Sequence, residues 1–226
     1  MDKDDIKTLI DSLSPTYETI LPVSGKTVLF IPFKVKDAKN ISIILNEQNK
    51  KLSLIAMVNL LKANTKGINI EELCLADAEY LYLKIRSKSV GELINIKIGE
   101  EKYNINIDDI KCRNTPTEQN LLIKDGVYAV IKTPQIKTIL NSDFNDEHSV
   151  LKKYIHTIII KNEIFNLSTF VPDTLKELIE NLPYSLIKDI QEISKKQPEL
   201  YFSIPAKDGE REVSGTLNFF TWLQTS

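Results

Sequence analysis

The spacing of apolar residues changes character at Gly91, and that change excludes an all-helical chain and an all-strand one alike. Before it, Ala78, Leu81 and Ile85 recur at helical intervals with Tyr82 beside them; after it, Ile94, Ile96 and Ile98 alternate with Asn95 and Lys97. A helix repeats its buried face about every 3.6 residues and a strand every second residue, so one segment cannot serve as both. Asp77 stands where an N-cap would accept the free amides of a first helical turn. Lys84, Arg86 and Lys88 fall towards the helix end, where cations favour the dipole, and Gly91 supplies a left-handed stop. Tyr103, Ile105 and Ile107 alternate with Asn104 and Asn106, so the strand becomes a β-hairpin with a four-residue loop, Gly99-Glu100-Glu101-Lys102.

Upstream, residues 1–13 read as a short amphipathic helix with Ile6, Leu9, Ile10 and Leu13 on one face, ended by Ser14-Pro15. So short a helix is marginal alone in water, so it docks on the body or on a partner. Leu21 to Lys26 is turn-rich. Thr27 to Val35 is β-prone, with Pro32 placing it at a sheet edge or in an irregular segment. Residues 37–47 fit helix and strand equally, whereas Leu52 to Ala63 is a helix with Asn59 and Lys62 outside. Downstream, Asn114 to Asn120 is polar, contains Pro116 and reads as a linker or subdomain boundary. A strand is expected over Val127 to Lys132 and a helix over 147–160 through Val150, Leu151, Tyr154, Ile155 and Ile158. Two more helices follow, one opening at Val171-Pro172-Asp173 and one carrying Leu186, Ile187, Ile190 and Ile193 up to Gln197-Pro198. A second hairpin turns around Lys207-Asp208-Gly209. The expected fold is α+β: a mostly helical body with two β-hairpins and no parallel Rossmann-type sheet. Its expected parts are the amino-terminal helix 1–15, a subdomain 16–113 and a helical subdomain 114–226.

Residue chemistry offers little to a catalyst. The formal net charge is -2 over 226 residues, so no bulk attraction to nucleic acid or an anionic membrane is expected. No stretch approaches the roughly 20 apolar residues that span a bilayer, and Met1-Asp2-Lys3-Asp4-Asp5 leads into no signal core. Cys74 and Cys112 lack metal-ligand spacing and are expected to be reduced. His148 falls in a polar turn and His156 in the expected 147–160 helix, neither beside a nucleophile. Ser24-Gly25-Lys26-Thr27 has the ending of a phosphate-binding loop, but Ile20 stands where that loop needs glycine. The acidic pairs read as solvated surface. No catalytic, cofactor-binding or metal residue is therefore expected. Arg86 with Glu79 is the candidate structural ion pair. The candidate partner-binding residues are Ile6, Leu9, Ile10 and Leu13 at one end and Phe219, Phe220, Trp222 and Leu223 at the other, since aromatic anchors are typical of interface hot spots.

Three blocks carry a resemblance. They are Asp77, Glu79-Tyr80-Leu81, Leu83, Arg86 and Lys88-Ser89-Val90-Gly91-Glu92; Leu21 to Lys26 followed by Phe30-Ile31-Pro32-Phe33-Lys34-Val35-Lys36; and Gln197-Pro198-Glu199-Leu200 with Ser214-Gly215-Thr216-Leu217-Asn218-Phe219-Phe220. In these the chain resembles the baseplate hub-assembly proteins of T-even-type tailed bacteriophages. The resemblance implies paired cysteines, carried by many relatives in the style of a zinc ribbon, in the hairpin after the signature helix. Here that hairpin has Ile98, Gly99 and Tyr103 and no cysteine, so its isoleucine face must hold it. The resemblance implies a non-enzymatic, chaperone-like assembly factor that binds phage hub or tape-measure proteins in the host cytoplasm. The alternative it implies is a permanent structural component of the virion baseplate. A small hydrolase or nucleotide-binding enzyme ranks behind both, and self-association is left open.

Overall fold

The computed structural model describes residues 14–46, 49–98, 100–142, 153–206 and 209–214. In chain order the elements are β1 (Tyr17–Ile20), β2 (Thr27–Phe30), α1 (Ala38–Asn46), α2 (Lys50–Asn64), β3 (Thr65–Lys66), α3 (Leu75–Val90), β4 (Leu93–Ile98), β5 (Glu101–Asn106) and β6 (Lys111–Arg113). There follow β7 (Glu118–Lys124), β8 (Val127–Lys132), α4 (Ile136–Leu140), β9 (Ile155–Ile160), β10 (Glu163–Asn166), α5 (Pro172–Glu180), α6 (Tyr184–Ser194), β11 (Glu199–Ala206) and β12 (Gly209–Ser214). Short 3-10 turns over Val35–Asp37, Ile70–Glu72, Ile107–Asp109 and Leu167–Thr169 join several of them.

The chain divides into two compact units: residues 113–198 form one, and the described parts of 1–112 and 199–226 form the other. The first-named unit is thus an insertion in the second. The discontinuous unit holds three small sheets, ordered β1-β2-β3, β4-β5 and β12-β11-β6. Its interior is built by α2 and α3, with Leu54, Met57, Leu60, Leu61, Leu81, Leu83 and Ile85 fully buried. Burying one such side chain contributes roughly 1.5–3 kcal/mol, so this helix pair is the main apolar support of the unit. Leu21 and Ile107 join that interior from turns on either side of it in sequence.

The inserted unit is a four-stranded antiparallel sheet, β10-β9-β8-β7. One face carries Ala129, Ile131 and Ile158 into a core shared with Leu186, Ile190 and Ile193 of α6. On the other face the ladder aligns Leu122, Tyr128, Ile159 and Ile164 in one row across all four strands.

Twelve strands in four sheets and six α-helices among the described residues overturn the expected mostly helical body with two hairpins. Two misread stretches and one left unassigned account for most of the difference. Residues 155–160 are strand β9, not helix; Ile-His-Thr-Ile-Ile-Ile is rich in β-branched side chains that favour a pleated surface. Lys161 and Asn162, both at positive φ, then turn the chain into β10 as a two-residue hairpin loop. Asp125-Gly126 joins β7 to β8, so Glu118–Asn120 belong to a strand and not to a linker. Tyr17–Ile20 forms β1 against β2, and β2 stops two residues before Pro32.

Smaller corrections concern edges. Ile98 pairs with Glu101 and Lys97 with Lys102, so Glu101 and Lys102 are ladder residues and not part of the loop. Residues 38–46, left open between helix and strand, are helical. The inserted unit begins at Arg113 and ends at Pro198, and β11 and β12 belong again to the discontinuous unit. Residues 1–13, 143–152 and 215–226 lie outside the described residues. So do the expected amino-terminal helix, the first part of the expected 147–160 helix with His148, and the aromatic tail.

Candidate functional site

Two of the sequence blocks singled out above meet around α3. Asp77 is not the N-cap of this helix. Cys74 occupies that position without a side-chain capping bond, and Asp77 lies in the first turn, fully buried. Its carboxylate instead accepts the backbone N–H of Val23 at 2.8 Å and of Ser24 at 3.0 Å. One side chain thereby satisfies two amides of the turn between β1 and β2. Leu21 also donates to the Lys26 carbonyl at 2.9 Å, so the turn is closed on itself and fastened to the helix. Gly25 takes φ 67° within it. Ser24 to Thr27 therefore connects two strands and opens no helix, which removes the context a phosphate loop requires.

A second attachment lies towards the other end of α3. The Phe33 amide donates to Ser89 Oγ at 2.8 Å, and that hydroxyl donates to the Ile85 carbonyl at 2.7 Å. The Phe33 and Tyr82 rings lie 5.6 Å apart, tilted by 37°. Burial pushes the Tyr82 hydroxyl up to about 12, so it stays protonated. Lys88 sits 5.8 Å from the centre of the Tyr17 ring and pairs with Glu92 at 2.9 Å. Lys84 pairs with Asp108 at 2.5 Å.

The expected ion pair between Arg86 and Glu79 does not form. The Arg86 guanidinium donates to the Gly91 carbonyl at 3.3 Å and to the Leu93 carbonyl at 3.4 Å, bracing the exit from the helix. Gly91 itself sits at φ 117°, ψ 163°, the mirror-extended region and not the left-handed helical one. Glu79 is 2% exposed, and neither of its carboxyl oxygens has a hydrogen-bond partner. Burial raises its pKa well above the usual carboxylate value, which favours the neutral acid.

Nor do the cysteines form a reactive pair. Both are free thiols. Burial pushes Cys74 up to about 12 and Cys112 up to about 11, so the nucleophilic thiolate is scarce at neutral pH. Among the described residues no group of three or more His, Cys, Asp or Glu side chains is placed to hold a metal ion. His156 is exposed on β9, and partial burial with nearby Lys132 lowers its pKa. Ile6, Leu9, Ile10, Leu13, Phe219, Phe220, Trp222 and Leu223 lie outside the described residues.

One feature of this surface escaped sequence reasoning. Asp37, 3% exposed, turns inward, where its carboxylate accepts the Lys34 amide at 2.7 Å and the Asn64 side-chain amide at 3.1 Å. The short turn it anchors leaves Val35, Lys36 and Lys39 on the outside, with Val35 94% exposed. The Lys-Val-Lys-Asp-Ala-Lys string looks mixed in charge until the one acid is seen to be buried.

A family model described as T4 bacteriophage base plate protein matches residues 14–221. No curated protein and no solved structure matches the chain.

Proposed function

The chain belongs to the T4 bacteriophage base plate protein family, and from that membership we propose that it is a structural component of a phage baseplate, built into the particle and acting through surfaces and not through a reaction. The observation that carries this reading is the extent of the family match, which runs through both compact units. The way α3 is fastened supports it. Asp77 holds the β1–β2 turn, Ser89 holds the segment after β2, and Arg86 braces the exit into β4. These bonds make a rigid frame, which suits a part that must present neighbours with fixed contact geometry.

Hub or tape-measure proteins are the proposed partners. Phe219, Phe220, Trp222 and Leu223 are the proposed contact residues, because four large apolar side chains in so short a stretch supply the anchors that interface centres favour. The test is mass spectrometry of purified, mature particles from cells making this chain. Peptides from the chain, in fixed ratio to other baseplate proteins, are the expected result. Absence from particles, with hub or tape-measure proteins recovered on the tagged chain from infected cells, would replace the structural role with that of an assembly factor present only during construction.

A further inference from the structure

We infer that the inserted unit joins a second copy of the chain edge to edge, with strand β7 of one copy pairing antiparallel to strand β10 of the next. The inference stands apart from the partners proposed above. In the order β10-β9-β8-β7 these two strands are the edges, and among the described residues each is paired on one side only. An edge strand presents a row of N–H and C=O groups to another chain, and neither β7 nor β10 carries the proline that commonly closes an edge. Four antiparallel strands make β7 and β10 run in opposite directions. A second copy set alongside in the same orientation therefore brings its β10 antiparallel to β7. The hydrogen bonding fits as well. Opposite residues in an antiparallel pair alternate between those that exchange both bonds and those that exchange none. Carried across four strands, this alternation leaves the outward groups of β7 and β10 in the same rows of the ladder, from Asn120 to Leu122 where the ladder is regular.

The side chains agree row by row. The ladder runs from Lys124 on β7 to Glu163 on β10, from Leu122 to Ile164, from Leu121 to Phe165 and from Asn120 to Asn166. Continued into the next copy, the same rows set Lys124 opposite Glu163, Leu122 opposite Ile164 and Leu121 opposite Phe165. The first is a pair of opposite charges and the other two are apolar pairs; each is a favourable cross-strand neighbour, and no row opposes like charges. Lys124 and Glu163 are exposed, and neither takes part in an ion pair among the described residues. Leu122 is 59% and Ile164 74% exposed, so the junction takes from water apolar surface that a single copy leaves in it. Leu121 and Phe165 are half-buried, in the row that carries Ala129 and Ile158 into the core, so the junction also brings two cores side by side. A slip of one residue would turn the apolar row to the other face and lose every match, so the register is specific. The two copies contribute different edges, and such a contact repeats into a ring or a chain and does not stop at a dimer.

The experiment is analytical ultracentrifugation of the full chain over a series of concentrations, with charge reversals at the two ends of one row. The average mass of the parent is expected to rise with concentration and to pass that of a dimer. Lys124→Glu and Glu163→Lys each set like charges face to face, and each should weaken association by about five-fold or more. The double variant, Lys124→Glu with Glu163→Lys, puts an opposite pair back at the junction and should associate as the parent does. Both side chains are exposed, so circular dichroism and melting of all three variants should match the parent. A parent that stays monomeric up to millimolar concentration, single reversals that associate as strongly as the parent, or a double reversal that stays as weak as the singles would overturn the inference.

Discussion

Asp77 and Glu79 sit two residues apart on one helix, are equally hidden from water, and have opposite consequences. Asp77 meets two amides across more than fifty residues of chain. Removing it in Asp77→Ala strands both N–H groups, and we expect a loss of about 3 kcal/mol, since each donor left without a partner costs about 1–3 kcal/mol. Denaturant unfolding measures the loss; faster amide exchange at Val23 and Ser24 locates it. Glu79 meets nothing. Its folded-state pKa is raised, so folding is unpenalised below the unfolded pKa, where both states are neutral. Stability then falls as pH rises above that value, because the unfolded chain can ionise and the folded one resists. Glu79→Met, similar in size and without charge, should therefore melt higher than the parent at pH 7, by roughly 2–4 °C per kcal/mol gained. The gap should narrow as pH falls towards 4; a gap independent of pH would show that ionisation is not the cause. The sequence shows two acids near a helix start and cannot separate these fates, because the partners that decide them are distant in the chain.

Helices and strands were legible to different degrees for a physical reason. The helices α2, α3, α5 and α6 carry their instructions locally: an apolar stripe, a proline such as Pro172 at the start, a glycine such as Gly91 at the end. A strand needs a partner, and short apolar runs such as Ile155 to Ile160 satisfy either period until the partner is known. The Asp125-Gly126 turn was a readable hairpin signal, and a polar, proline-containing approach through Pro116 masked it as a linker. The candidate site divided in the same way. The blocks Leu21 to Lys26 and Asp77 to Glu92 stood out in sequence, but the bonds that join them did not, nor did the burial of Asp37. At this scale Gly91 is the sharpest test. Its φ and ψ lie in a region that is essentially glycine-only, so Gly91→Ala should cost about 1–3 kcal/mol although no atom beyond its chain neighbours stands within 4 Å of the added methyl group. Arg86→Ala should cost less, about 1 kcal/mol, since its two bonds to carbonyls are long.

At the scale of the whole molecule the governing fact is the double crossing at 112–113 and 198–199, which makes residues 113–198 an insertion between two strands of one sheet. Strands β6 and β11 are neighbours in the order β12-β11-β6. The ends of the discontinuous unit at the crossing are therefore already close, without help from the insertion. The insertion closes on itself as well: the Asn114 side-chain amide donates to the Gln197 carbonyl at 3.0 Å, and its core draws on β8, β9 and α6 alone for most of its fully buried side chains. Insertions are best tolerated where chain ends meet at a surface, and each piece then keeps its own core. We therefore expect residues 113–198 expressed alone to fold cooperatively, and the remainder to keep its structure when 115–196 is replaced by a short Gly/Ser linker. Circular dichroism and thermal melting of each piece measure this. A melting transition in each that survives separation is the expected outcome. Loss of cooperative melting in either piece would mean that the two cores are completed only by each other, and that the division into units describes geometry without describing folding.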